Sequence, residues 1–172
     1  MLLDDTELEN TVWQKVFKLL GFKPDSTVRT HNFTSDMPFD INLDFSIYTI
    51  ENMSNAQIDA MGDTIRKILI EATGENGRIY APDWEHSSFL YNPRNSDEQK
   101  SVWVDDARYF GGGYCANFPP FYPDADYYFF IDENFRFGYS GHPWRQEVWI
   151  FGELLIHRFE QIYENLGWTK IK

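Results

Sequence analysis

Apolar residues recur at helical spacing in three stretches of the chain. Leu8, Val12, Val16 and Leu19 share one helix face, and Trp13, Phe17 and Leu20 widen the stripe. Thr6-Glu7-Leu8-Glu9 has the form of a capping box, and Asp4 and Asp5 also lie where the helix dipole favours negative charge. Gly21 suits the position just past the last turn, and Pro24 prevents continuation. Ile58, Met61, Ile65, Ile68, Leu69 and Ala72 predict a second helix, capped by Ser54 or Asn55 and ended by Gly74. Leu155, Phe159, Ile162, Tyr163 and Leu166 predict a third, stopped by Gly167, with Trp168 making the apolar contact that accompanies such a stop.

Elsewhere the period shortens to two, or the runs become continuously apolar. Ile41, Leu43, Phe45, Ile47 and Thr49 alternate with Asn42, Asp44, Ser46, Tyr48 and Ile50, which predicts a half-buried strand. Shorter strands are expected over Thr27–Phe33, Arg78–Trp84, Ser87–Tyr91 and Val102–Val104, with a turn around Ser35-Asp36-Met37-Pro38. Residues Asp105 to Pro123 read as a loop, with Gly111-Gly112-Gly113 and Pro119-Pro120, and long loops inside compact domains are often functional.

The stretch Pro119–Ile156 holds the rest together. Tyr127–Ile131 and Phe135–Tyr139 flank the polar link Asp132-Glu133-Asn134. The turn Ser140-Gly141-His142-Pro143 then precedes a third run, Val148–Phe151, which leads into the last helix. These links are too short for parallel crossovers, so the pattern predicts an antiparallel β-meander. The fold class that follows is α+β: one domain over residues 1–172, a mainly antiparallel twisted sheet, and about three helices packed on one face.

Composition refines this picture. Aromatic residues make up 18% of the chain, which favours pleated strands and a thick core. The 27 acidic and 15 basic side chains leave a net charge of −12, a field that repels nucleic acid and anionic membranes and attracts a protein partner with a basic surface. No apolar run reaches the length of a membrane span, and the first residues lack the basic start of a signal peptide. The single cysteine, Cys115, points to a reducing, cytoplasmic setting.

Candidate chemistry is sparse. His31, His86, His142 and His157 are scattered without zinc-type spacing, so no metal site is expected. Asp124-Ala125-Asp126 lacks the loop of a calcium site, and the triple glycine lacks the lysine and hydroxyl residue of a phosphate loop, so no cofactor is expected either. The best catalytic constellation joins Asp83 and His86 to His142 and Arg145, which with Trp84 and Trp144 would form an acid–base pocket if their loops converge. In the competing view both histidines sit at strand turns, bonded to backbone. For binding, Tyr114, Phe118, Phe121, Tyr122, Tyr127 and Trp144, framed by Asp124 and Asp126, have the character of interface anchors. The same loop aromatics could instead fold back to lid the core.

Asp83-Trp84-x-His86, Tyr122-Pro123-Asp124-x-Asp126-Tyr127, Gly141-His142-Pro143-Trp144 and Phe151-Gly152-x-Leu154-Leu155, in that order, resemble a family of small acidic bacterial proteins. The family is known as a domain of unknown function from Bacillus-type and actinobacterial genomes. The resemblance spans most of the chain and implies no activity, catalytic residue or cofactor. In size and acidity the chain is similar to immunity proteins and phage-encoded inhibitors, an analogy of character alone.

Together these features favour a cytosolic protein-binding module that inhibits a partner such as a toxin or defence effector. The alternative is a small hydrolase using His86 and His142, and a homodimeric structural subunit is a third possibility.

Overall fold

The computed structural model describes residues 1–3, 6–22, 41–84, 86–124 and 126–172. The strand and turn expected between Thr27 and Pro38, with His31, lie outside them. In chain order the elements are α1 (Thr6–Leu20), β1 (Phe45–Thr49), α2 (Asn55–Thr73), β2 (Ile79–Ala81), β3 (Phe89–Tyr91), a single 3₁₀ turn (Ser96–Glu98), β4 (Val102–Asp105), β5 (Gly113–Ala116), β6 (Tyr128–Asp132), β7 (Gly138–His142), β8 (Glu147–Phe151), α3 (Glu153–Glu160) and β9 (Thr169–Lys170). The fold class is α+β, as the patterning predicts. A seven-stranded sheet runs β3-β2-β6-β7-β8-β1-β9 with every pair antiparallel, and β4 and β5 form a separate two-stranded hairpin.

The helices form where the apolar stripes predict them. Ser54 caps α2 through a reciprocal box: its hydroxyl accepts from the Gln57 amide, and the Gln57 side chain accepts from the Ser54 amide at 2.8 Å. The third helix is shorter than its stripe. It ends at Glu160, and tight turns carry Ile162, Tyr163 and Leu166 onward until Trp168 stacks on Phe159 at 5.4 Å.

The helices divide between the two sheet faces, which corrects the expectation that they share one. Side chains alternate along β6, so Tyr128 and Phe130 pack with Met61, Ile65 and Leu69 of α2 and with Leu155 and Phe159 of α3. Phe129 and Ile131 point the other way, toward Val12, Val16 and Leu20 of α1. All five β6 residues are buried. A strand apolar on both faces needs cover on both, and each buried phenylalanine contributes about 1.5–3 kcal/mol of transfer free energy.

The meander forms with its boundaries shifted. The second aromatic run does not enter a strand until Gly138; residues 133–137 form the link, and Phe135 takes a φ of +58°. Asp132 organises that link, accepting from Arg136 Nε at 2.7 Å, Arg136 Nη2 at 2.8 Å and the Asn134 amide at 3.1 Å. The predicted turn at 140–143 is instead the end of β7, and the chain reverses at Pro143–Gln146. Glycine misleads here, because close packing rather than a turn requires it. A Cβ on Gly138 would lie 2.5 Å from the Phe151 ring, and one on Gly141 would lie 2.6 Å from Pro123 Cβ.

Candidate functional site

The predicted site residues gather at one end of the large sheet, where β2 leaves, β6 begins and the β7–β8 turn lies. Asp83 extends the β2 register by an isolated bridge to Tyr128, with the Phe129 amide donating to the Pro82 carbonyl at 3.1 Å. Tyr128 pairs in turn with Gly141, so Asp83 and the end of β7 stand two strands apart, roughly 10 Å.

Three of these residues meet. His86 Nδ1 lies 3.2 Å from Asp83 Oδ1 and 3.5 Å from Asp126 Oδ2. Asp83 and Asp126 are buried, whereas the His86 side chain is 61% exposed and forms the outer wall. The Tyr127 amide donates to Asp126 Oδ1 at 2.7 Å and turns Oδ2 toward the imidazole. Beside them the Tyr128 hydroxyl donates to Asp124 Oδ1 at 2.8 Å. Burial, the bond to Asp124 and the fields of Asp124, Asp83 and Asp126 push its pKa far above the tyrosine range. Three carboxylates thus stand at this corner.

The other half of the expected pocket lies on the opposite face. Alternation places Asp83 with Tyr128 on the α2–α3 side, while His142 sits on the α1 side with its ring edge-to-face on Tyr127 at 5.0 Å. His142 is wholly buried, opposite Glu147 in the β7–β8 ladder. Arg145 Nη1 is 3.9 Å from Glu147 Oε2, and Trp149 Nε1 donates to the same oxygen at 3.2 Å. The structure thus joins Asp83, His86 and Asp126, and separately His142, Arg145 and Glu147, with Tyr127 between them.

Most aromatic residues of the Pro-rich stretch close the core. Phe121 is buried, with its ring 4.3 Å from Phe130, and its carbonyl accepts from the Tyr139 hydroxyl at 2.6 Å. Phe118 packs edge-on against Phe89 and Tyr91, and Tyr127 is buried against Phe22. Tyr122 holds the β7–β8 turn by donating to Gln146 Oε1 at 2.8 Å. Trp144, at the tip of that turn, is exposed.

A second exposed feature emerges where the sequence reads as a loop. Residues 105–123 include β5, which pairs with β4 to form a hairpin separate from the large sheet. One side rests on the core through Val104, Tyr114 and Ala116. The other side presents Trp103 and the tip presents Tyr109 and Phe110 to solvent, with Phe110 fully exposed at 107%, while Val102, on the core side opposite Ala116, is exposed at the hairpin's end. Tyr109 packs at a tilt on Tyr114, with ring centroids 4.9 Å apart, and Trp103 Nε1 donates to Asp105 Oδ1 at 2.9 Å, so both rings are held in place. The exposed thiol of Cys115 lies across from Trp103. From this hairpin the sequence predicts β4 as a strand and singles out Tyr114 alone as a site residue. The missed signal is the pair Val-Trp-Val and Gly-Tyr-Cys-Ala separated by a turn-forming stretch.

Among the described residues no helix is long and apolar enough to cross a membrane. No solved structure matches the chain significantly. "Uncharacterized protein YxiI" of Bacillus subtilis strain 168 is 28% identical over 157 residues, covering 88% of this chain and 87% of that protein. The family model described as "Protein of unknown function (DUF2716)" matches residues 2–156, which include both the Asp83–His86–Asp126 corner and the hairpin, and the chain belongs to that family.

Proposed function

We infer that the protein is a binding module that engages a protein partner through the β4–β5 hairpin. The observation that carries this reading is the exposed aromatic surface of Trp103, Tyr109 and Phe110 on a separate two-stranded element. Large aromatic side chains in water lose free energy that a partner's apolar pocket would recover, and Trp and Tyr are favoured binding anchors. The hairpin's base and stem carry Asp97, Glu98, Asp105 and Asp106 against Lys100 and Arg108. Both cations are tied down, Lys100 to Asp97 at 2.5 Å and Arg108 to Asp106 at 2.7 Å. With the −12 net charge, this frame supports a partner whose pocket is apolar and whose rim is basic. Inhibition of that partner is the corresponding biological role, with the hairpin as the inserted wedge.

The test compares capture from native host lysate by the wild-type chain and by the Trp103→Ala/Phe110→Ala variant. A basic protein retained by the wild type, released by the double variant and bound less tightly as salt rises is the expected result. Equal retention by both chains would overturn the assignment to the hairpin.

A further inference from the structure

We propose that Asp83, His86 and Asp126 form a site for a divalent transition-metal ion of the zinc class, with imidazole Nδ1 and two carboxylate oxygens as ligands and the solvent side open for water. The three ligand atoms all lie within 4.8 Å of one another. Around a zinc-sized ion with bonds near 2.0–2.2 Å, tetrahedral donors stand about 3.4 Å apart. His86 Nδ1 stands 3.2 and 3.5 Å from its two carboxylate partners, which matches that spacing, and the two carboxylate oxygens, within 4.8 Å of each other, close by at most about 1.4 Å to meet it.

The donor set selects the ion. One imidazole nitrogen with two carboxylates suits zinc, manganese, cobalt or iron(II), whereas calcium takes six to eight oxygens. Three protein ligands with an open position is the arrangement of metal sites that hold a reactive water. The ligands are also held from behind. Asp126 is oriented by the Tyr127 amide, and Asp83 is fixed by its bridge to Tyr128. Asp83 and Asp126 are buried while His86 is exposed, so a cation can arrive from water and meet fixed negative charge. Rules based on local spacing miss such a site, because Asp126 comes from the segment that leads into β6, forty residues beyond His86.

The experiment is calorimetric titration of zinc chloride into the full-length chain after chelator treatment, alongside His86→Ala and Asp126→Asn. One equivalent of zinc is expected to bind the wild type, raise its melting temperature, and bind each variant at least about tenfold more weakly. The melting temperature and circular dichroism of each variant in chelator establish that it is folded, which keeps the comparison free of misfolding. Zinc that fails to bind the wild type would overturn the site and leave a histidine clamped between two carboxylates. Zinc that binds His86→Ala unchanged would also overturn it, since other histidines or Cys115 would then be the ligands.

Discussion

The β6–β8 meander and the β4–β5 hairpin are both antiparallel and both rich in aromatic residues, yet they meet water in opposite ways. Every residue of β6 and β7 is buried, because α1 covers one face of the large sheet and α2 and α3 cover the other. The hairpin has a core on one side alone, and β4 carries three exposed residues of four. Aromatic content therefore does not identify the interior. The number of covered faces does, and that depends on where distant helices dock.

The largest effect expected from this contrast is at the centre of the meander. Phe130 is wholly buried between Phe121 and Tyr139, with ring centroids at 4.3 and 6.0 Å. Phe130→Ala should lower the unfolding free energy by about 3–5 kcal/mol, as truncation of a core phenylalanine does. Urea denaturation measures this directly. A loss below about 1 kcal/mol would mean that the surrounding rings close the cavity, and that the two-faced core is far more plastic than its packing implies.

A smaller effect is expected at the joint between the two regions. Glu98, in the 3₁₀ turn that precedes β4, accepts from the Asn92 amide at 2.8 Å and from Asn95 Nδ2 at 3.0 Å, with Arg78 Nη2 3.9 Å away. The Asn92 bond, opposed in part by burial, holds its carboxyl below the usual glutamate range, with Asn95 and Arg78 contributing. A carboxyl whose pKa is lower folded than unfolded contributes stability above the ordinary glutamate value and loses it as pH falls through the lowered one. Glu98→Gln should therefore flatten the acid side of the stability–pH curve by about 1 kcal/mol or less. If the curves of wild type and variant run parallel into acid, this joint does not sense pH.

Much of this architecture is legible in the sequence, and the failures have physical causes. The helical stripes are legible because each helix buries one face, so Val12, Val16 and Leu20, or Met61, Ile65 and Leu69, repeat with the helical period. β6 is legible as a continuous apolar run. β7 is legible only in its first residues, since Ser140 and Gly141 resemble a turn; the small size of Gly138 and Gly141 serves the Phe151 ring and Pro123 packed over the strand. β5 hides behind three glycines, and β9 is two exposed residues that gain order by pairing with β1. The site is half legible. Asp83 and His86 lie three residues apart and signal each other, but no local rule brings in Asp126, or places His142 on the other face.

The smallest expected effect on stability is the most informative for the comparison. Phe110 projects entirely into solvent at the hairpin tip, so Phe110→Ala removes no core contact. Its unfolding free energy should stay within about 0.5 kcal/mol of the wild type, as for surface substitutions away from special features. Trp103 is a sharper case, because its indole lies over Gly113 and bonds Asp105, so Trp103→Ala tests whether the hairpin depends on its own rings. A neutral Phe110→Ala beside a measurable loss for Trp103→Ala would divide the hairpin into a tip that contacts a partner and a stem that holds it up. A loss above about 1 kcal/mol at Phe110 would instead place that ring against the protein's own surface in solution, and the contrast between buried meander and exposed hairpin would fail at its most exposed residue.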